Sequence, residues 1–276
     1  MTILNTDGLS YEAEKLIGST EKFKLYQCSF GNNKTCILKI ASLAEYNGIL
    51  DREADLLQTL LAEVERIITE YGTVESDGKT LDYQLLLPHL MDSFIDPNQD
   101  KRRINVIDLS HMADDLSQLV PLSLIISRER LRVDPRTSAW ILGRLLKLLA
   151  FTHSQGVSIG FLNRDNILIN REQHRVTIFD WSQAKINNAP LSSELATIEI
   201  AQVAREITLL LGGNPTDGQL PPDEQLIDDR YADHLRHLTS FKEDDAYEAH
   251  RKFYELIRAL WPSGFYPYTT HKLTNL

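Results

Sequence analysis

The chain has 276 residues, 42% hydrophobic and 25% charged, so it can bury a core of its own and fits one two-lobed domain or two small ones. Its formal net charge of −10 argues against broad binding to nucleic acid or to an anionic membrane surface, because both draw on an excess of Lys and Arg. No apolar run is long enough to cross a bilayer, and the opening M-T-I-L-N-T-D-G has neither a basic start nor a long apolar centre, so a cytoplasmic protein without a signal peptide is expected.

The first forty residues read as three strands, Tyr11 to Ile17, Phe23 to Phe30 and Thr35 to Ala41. They are separated by the turn-rich Gly18-Ser19-Thr20 and by Gly31-Asn32-Asn33, the second a tight-hairpin signal. The two cysteines, Cys28 and Cys36, lie on adjacent strands and could face one another. Buried thiols are expected there rather than a disulfide, since a chain of this size needs no covalent staple. The third strand carries Lys39 among apolar residues, and an unpaired ammonium on a central strand would be costly. Its partner should come from the next element. Asp51 to Thr69 shows Leu57, Leu60, Leu61, Val64 and Ile68 at helical spacing, with Glu53 one turn before Leu57.

Tyr71 to Asp82 reads as a loop or irregular insertion. Leu85 to Ile95 and Arg103 to Leu109 read as two further strands joined by a turn at Asp96 to Asp100. Lys101-Arg102-Arg103 is the densest basic run and is expected to be a solvated hairpin end. A linker should fall near Asp108 to Ala113, with His111 on the surface. From Pro121 onward helices dominate. Asp134-Pro135 is an N-cap followed by proline at the first helical position, opening an apolar helix through Trp140, Leu142, Leu145, Leu146 and Leu149 that ends near Gly156. Glu199 to Leu211 and Ala246 to Leu260 are two more helices, the last followed by an aromatic tail from Trp261 to Tyr268.

Between the first two of these helices, Asn166 to Ile169 and Val176 to Phe179 are short apolar runs around the polar Arg171 to Arg175, a hairpin. Asn166 stands where a loop enters one strand and Asp180 where the next strand ends. An amide and a carboxylate side by side at strand ends can hold a divalent cation through hard oxygen ligands.

This segment resembles the catalytic loop and metal-binding hairpin of the protein-kinase-like superfamily, H-R-D-L-x-x-x-N followed by strands ending in D-F-G. Leu162 and Asn166 fall on the Leu and Asn, and Asp180-Trp181-Ser182 falls on D-F-G. The resemblance extends to Lys39 in C-I-L-K-I-A, matching the lysine of V-A-I-K, and to Glu53 as the ion-pairing Glu of the following helix. Of the G-x-G-x-x-G loop that covers the phosphates, I-G-S-T-E-K-F-K-L-Y keeps Gly18 alone.

The resemblance implies an α+β, two-lobed protein-kinase-like fold: a five-stranded antiparallel small lobe over residues 1–110 and a mainly helical large lobe over 111–276. Gly18, Lys39 and Glu53 would serve a nucleotide, and Asn166 and Asp180 a metal, so ATP and Mg2+ are the cofactors implied. The catalytic Asp position is Phe161, with Ile159 and Gly160 at the preceding His-Arg positions, so no catalytic base is assigned. Glu199 stands where the family's next core helix would begin with Asp. Only the eighteen residues Trp181 to Ile198 lie between Asp180 and Glu199, and Ala189-Pro190-Leu191 comes too soon and lacks the Glu of an A-P-E platform, so a substrate-docking loop is not expected.

The expected function is therefore a catalytically impaired, nucleotide-responsive binding or regulatory module, a pseudokinase with an unidentified protein partner and no nucleic-acid or membrane partner. The alternative is an atypical phosphotransferase in which Asp165, or a carboxylate from elsewhere, serves as base. Lys39→Met is expected to weaken nucleotide binding without unfolding the protein.

Overall fold

The computed structural model describes residues 1–31, 34–72, 83–187, 190–221, 227–261 and 264–272. Asn32-Asn33 of the second expected turn, residues 73–82 of the expected insertion, and Ala189 lie outside the described residues. The chain forms two compact units, Met1–Gln118 with Trp181–Gln183, and Leu119–Asp180 with Ala184–Leu276.

The first unit is built on an antiparallel sheet of β1 (Thr2–Leu4), β2 (Ser10–Ser19), β3 (Phe23–Phe30), β4 (Lys34–Ala41), β5 (His89–Asp96) and β6 (Arg102–Asp108), in the order β1-β2-β3-β4-β6-β5. Its one long helix among the described residues is α1 (Asn47–Tyr71). The sheet has six strands where five were expected. The extra one, β1, is too short to show an alternating pattern. It is held by Ile3 opposite Tyr11 and by Asn5, whose Oδ1 accepts from the N–H groups of Asp7 (3.0 Å) and Leu9 (2.7 Å).

Alternation along β4 sorts its side chains by face. Cys36, Leu38 and Ile40 join Ile3, Tyr11, Cys28, Phe94, Ile104 and Val106 in one buried cluster. The intervening Lys39 therefore points to the opposite face. On α1, Leu50, Ala54, Leu57, Leu60 and Val64 recur at three- and four-residue spacing and are buried. Each such leucine contributes roughly 1.5–3 kcal/mol relative to leaving it exposed.

Two expectations are corrected in this unit. Cys28 and Cys36 are joined in a disulfide, with Cα atoms 5.3 Å apart. Chain size was the wrong criterion, because the register of β3 and β4 sets the two residues directly opposite and inside the span a disulfide bridges. Gly18 is not in a turn. β2 continues through it, and the turn is Thr20-Glu21-Lys22, closed by Thr20 Oγ1 accepting from Lys22 N (3.2 Å) and Phe23 N (3.1 Å). Gly18 pairs with Leu25 just after a register shift that leaves Ile17 unpaired, so it marks a bulge. The basic run at Lys101 to Arg103 does lie at the β5–β6 hairpin end with Lys101 exposed, and it is also tied to α1: Arg103 forms an ion pair with Asp51, and Asn47 Nδ2 donates to the Lys101 carbonyl at 2.8 Å.

The second unit is mainly helical. It contains β7 (Leu119–Pro121), β8 (Leu131–Val133), α2 (Pro135–Ser154), β9 (Val157–Ser158), β10 (Ile167–Asn170), β11 (Arg175–Ile178), β12 (Lys185–Ile186), α3 (Ser193–Leu210), α4 (Asp229–Thr239), α5 (Ala246–Leu260) and β13 (Thr270–Lys272). Asp134 caps α2 by accepting from Thr137 N at 2.8 Å, with Pro135 at the first helical position. α3 begins at Ser193, not at Glu199, because Ser192 supplies the cap. Glu199 is consequently an interior residue of that helix. α4 was not foreseen. Its buried apolar residues are only Tyr231, Leu235 and Leu238, too sparse a stripe beside its charges to announce a helix.

Candidate functional site

In the first unit, Lys39 is the centre of a buried polar group. Its Nζ lies 2.6 Å from Glu53 Oε1, with both side chains fully buried. The same Oε1 accepts from the main-chain N–H of Trp181 at 3.0 Å, and Oε2 accepts from Asn105 Nδ2 at 3.2 Å. Asn105 is the direct cross-strand partner of Lys39; it also donates to the Leu50 carbonyl (3.0 Å) and accepts from Ser93 Oγ (2.7 Å). A buried carboxylate with one ion pair and two further donors is a satisfied anion, and the arrangement needs every member.

The Phe23 ring also lies over the ammonium, its centroid 4.1 Å from Nζ. Phe23 is itself buried. In I-G-S-T-E-K-F the last glycine of a G-x-G-x-x-G pattern starting at Gly18 falls on this residue. A ring thus stands over the lysine where the pattern would leave bare backbone. Trp181, on the phenylalanine of D-F-G, is buried within the same unit.

In the second unit, the loop between β9 and β10 is held from beneath by Glu199. Its Oε1 accepts from Gly160 N at 2.7 Å, and its Oε2 lies 2.8 Å from His153 Nε2. Asn163 turns the loop by accepting on Oδ1 from the N–H groups of Asp165 (3.0 Å) and Asn166 (3.1 Å). Asn166, buried, binds both sides of the hairpin. Its Nδ2 donates to the carbonyls of Phe161 and Asp180, each at 2.8 Å, and its Oδ1 accepts from Asp180 N at 2.6 Å. Both amide protons are therefore committed, and one lone pair of Oδ1 is left for any cation.

Phe161 is half-buried. Asp165 is exposed. Glu206, on α3, lies 3.6 Å from Arg164 Nε, and burial pushes its carboxyl above the usual range despite that guanidinium.

The expected residues thus fall into two groups. Lys39 and Glu53 meet in one unit, and Asn166 and Asp180 in the other, while Gly18 joins neither. Sequence reasoning missed Asn105, Phe23 and the Trp181 amide. Asn105 had a signal, since it is the lone amide inside the apolar run Ile104 to Ile107. Main-chain donors such as Trp181 N leave no signal.

No family model matches the sequence, and neither does any curated protein. Among solved structures the chain is similar to one described as vaccinia related kinase 3, at 15% identity over 94% of this chain and 90% of that one, with a TM-score of 0.59. At this identity the likeness shows the fold alone. It is a protein-kinase-like fold of α+β class, with a sheet-rich unit and a mainly helical one.

Proposed function

We propose that this protein is a pseudokinase, a kinase-like scaffold that binds or regulates a partner protein and does not transfer phosphate. The observation that carries the reading is Phe161. The loop around it keeps the hydrogen bonds that would hold a base in place, from Asn166 to its carbonyl and from Gly160 to Glu199, yet the side chain presented is an aromatic ring. A ring can neither accept a hydroxyl proton nor orient one, and loss of a general base costs about 10²–10⁴-fold in rate.

The buried group around Lys39 supports the same reading. Phosphate oxygens approaching this ammonium from the side of Phe23 would have to displace the ring. A nucleotide would therefore act as a switch ligand, competing with an internal ring. The atoms that would hold Mg2+ are the Asp180 carboxylate oxygens and Asn166 Oδ1, hard oxygens of the type that ion takes. When bound, the ion would neutralise phosphate charge. The setting we propose is cytoplasmic, where ATP is drawn on; there Cys28 and Cys36, both fully buried, would be shielded from reductants.

A second reading, an atypical phosphotransferase, draws on one observation. Glu206 is a partly buried carboxyl whose proton affinity is raised by burial, next to the exposed Asp165 loop position. Such pairs of carboxyls are a known way of making acid and base at neutral pH.

The test is a thermal-shift titration with ATP, with and without magnesium, because a ligand that binds only the native state raises the midpoint by mass action. Binding without turnover is the expected result. No shift at millimolar ATP would remove the nucleotide from the proposal, and magnesium-dependent turnover would replace it with the second reading.

A further inference from the structure

We propose that His89, Asp108 and His111 form a binding site for a divalent transition-metal ion of the zinc type, independent of the nucleotide-like group around Lys39. One donor atom from each of the three lies within 4.8 Å of the other two, and all three residues are half-buried. His89 and Asp108 are direct cross-strand partners at the ends of β5 and β6. After β6 the chain turns, with Met112 N and Ala113 N both bonded to the Leu109 carbonyl, and the turn returns His111 onto His89. Their rings stack with centroids 3.8 Å apart and planes 9° apart. His111, expected on the surface, is half-buried.

The main chain prepares both imidazoles. His89 Nε2 faces the Gln84 carbonyl at 3.1 Å, and His111 Nε2 faces the Leu87 carbonyl at 2.9 Å. A ring nitrogen against a carbonyl oxygen carries the proton, which puts the lone pair on Nδ1 in both rings. A carbonyl behind the non-ligating nitrogen is the usual support of a metal-bound histidine, because it fixes the tautomer and raises ligand basicity. Asp108 is oriented in the same way: Ser110 N donates to one carboxylate oxygen (2.7 Å) and Ser110 Oγ to the other (2.9 Å). Each oxygen keeps further lone pairs.

Two neutral imidazoles and one carboxylate suit zinc, copper or nickel, whereas magnesium and calcium ask for oxygen ligands throughout. Three protein donors also leave a coordination position open. In-plane lone pairs of stacked, parallel rings do not converge, so loading turns one ring out of the stack. The ion would tie the segment Leu109 to Ala113 to the end of β5.

Zinc chloride titrated calorimetrically into the full chain at neutral pH is expected to show one saturable site. His89→Gln and His111→Gln should each lower its affinity by at least ~100-fold, the upper end of what losing even a supporting partner costs. Asp108→Asn should lower it by a smaller factor. Side-chain nitrogen spectra of the unsubstituted protein, which has eight histidines, should show Nδ1 of His89 and His111 shifting on zinc addition while the other six stay in place. That spectrum decides the matter even if a variant fails to fold. Absence of a saturable one-to-one site, zinc shifts at other histidines instead, or full affinity in both glutamine variants would overturn the proposal.

Discussion

Lys39 Nζ lies 2.6 Å from Glu53 Oε1, and neither side chain has any exposure to solvent. Truncating one member of such a pair leaves an uncompensated charge in the core, at a cost of about 3–5 kcal/mol. Lys39→Met should therefore lower the urea midpoint substantially, and the earlier expectation that it would leave the fold unaffected is revised. Adding Glu53→Leu should recover only part of the loss, because Asn105 Nδ2 and Trp181 N also spend donors on that carboxylate. A wild-type midpoint in Lys39→Met would show that the pair is not sealed from water.

That pair was legible because it combined two periods, a lysine on an alternating strand and a glutamate one turn ahead of a helical stripe. The same holds for the β10–β11 hairpin and for α5, whose apolar spacing and polar flanks are local. What could not be read was decided by register and by main-chain groups. The Cys28–Cys36 bond depends on the alignment of β3 with β4, and the His89–Asp108 pair on that of β5 with β6. The start of α3 turned on one serine cap, and β1 on two main-chain bonds to Asn5. Gly18 looked like a turn residue because a bulge and a turn use glycine for related reasons.

Phe23 over Lys39 predicts a nucleotide affinity limited by an internal competitor. Displacing the ring forfeits a cation–π contact worth about 0.5–2 kcal/mol. Phe23→Ala should therefore bind ATP about 2–30-fold more tightly than the wild type, at 1.4 kcal/mol per factor of ten. Calorimetric titration of both proteins measures the ratio, and a ratio of one or below would remove the ring from any gating role.

The Cys28–Cys36 disulfide closes a short loop, with a sequence separation of 8. Chain-entropy arguments give a loop of this size roughly 2–3 kcal/mol. Reduction under mild denaturant, or Cys28→Ala with Cys36→Ala, should lower stability by about that much and leave the β3–β4 register intact. Because both sulfurs are buried, reduction of the native protein should be slow and should track unfolding. Fast reduction without loss of stability would contradict this.

His234 on α4 predicts an acid limit to stability. Burial first, then the nearby His237 and Lys252, push its imidazole down to about 4. The folded state therefore binds this proton less readily than the unfolded chain does. Its contribution is present above the ordinary imidazole value of 6.5, falls as pH drops through that value, and is gone below about 4. The full span is worth up to about 3 kcal/mol at 1.36 kcal/mol per pH unit. Chemical denaturation measured from pH 7 to pH 4 should show this loss in the wild type and a flatter curve in His234→Gln. Parallel curves would assign the acid sensitivity to other groups.

The last expectation is that the purified protein transfers no phosphate from ATP to itself or to generic acceptors. Phosphoryl transfer is largely positioning and electrostatics, so a missing base alone slows it without forbidding it. Here a second obstacle stands in series. Lys39, the residue that would pair with phosphates, is already engaged by Glu53 and lies against the Phe23 ring. Asn166 spends both amide protons and one lone pair on Phe161 and Asp180, so a metal would find one donor of that amide in place of a free side chain. A radiolabelled ATP assay on the wild type and on Asp180→Asn measures the outcome. Magnesium-dependent incorporation that disappears in Asp180→Asn would show phosphotransfer at this hairpin, and a further loss in Asp165→Asn or Glu206→Gln would then identify the base. Phe161→Asp should be less active than its combination with Phe23→Ala, because restoring a base does not remove the ring that phosphate must displace from Lys39.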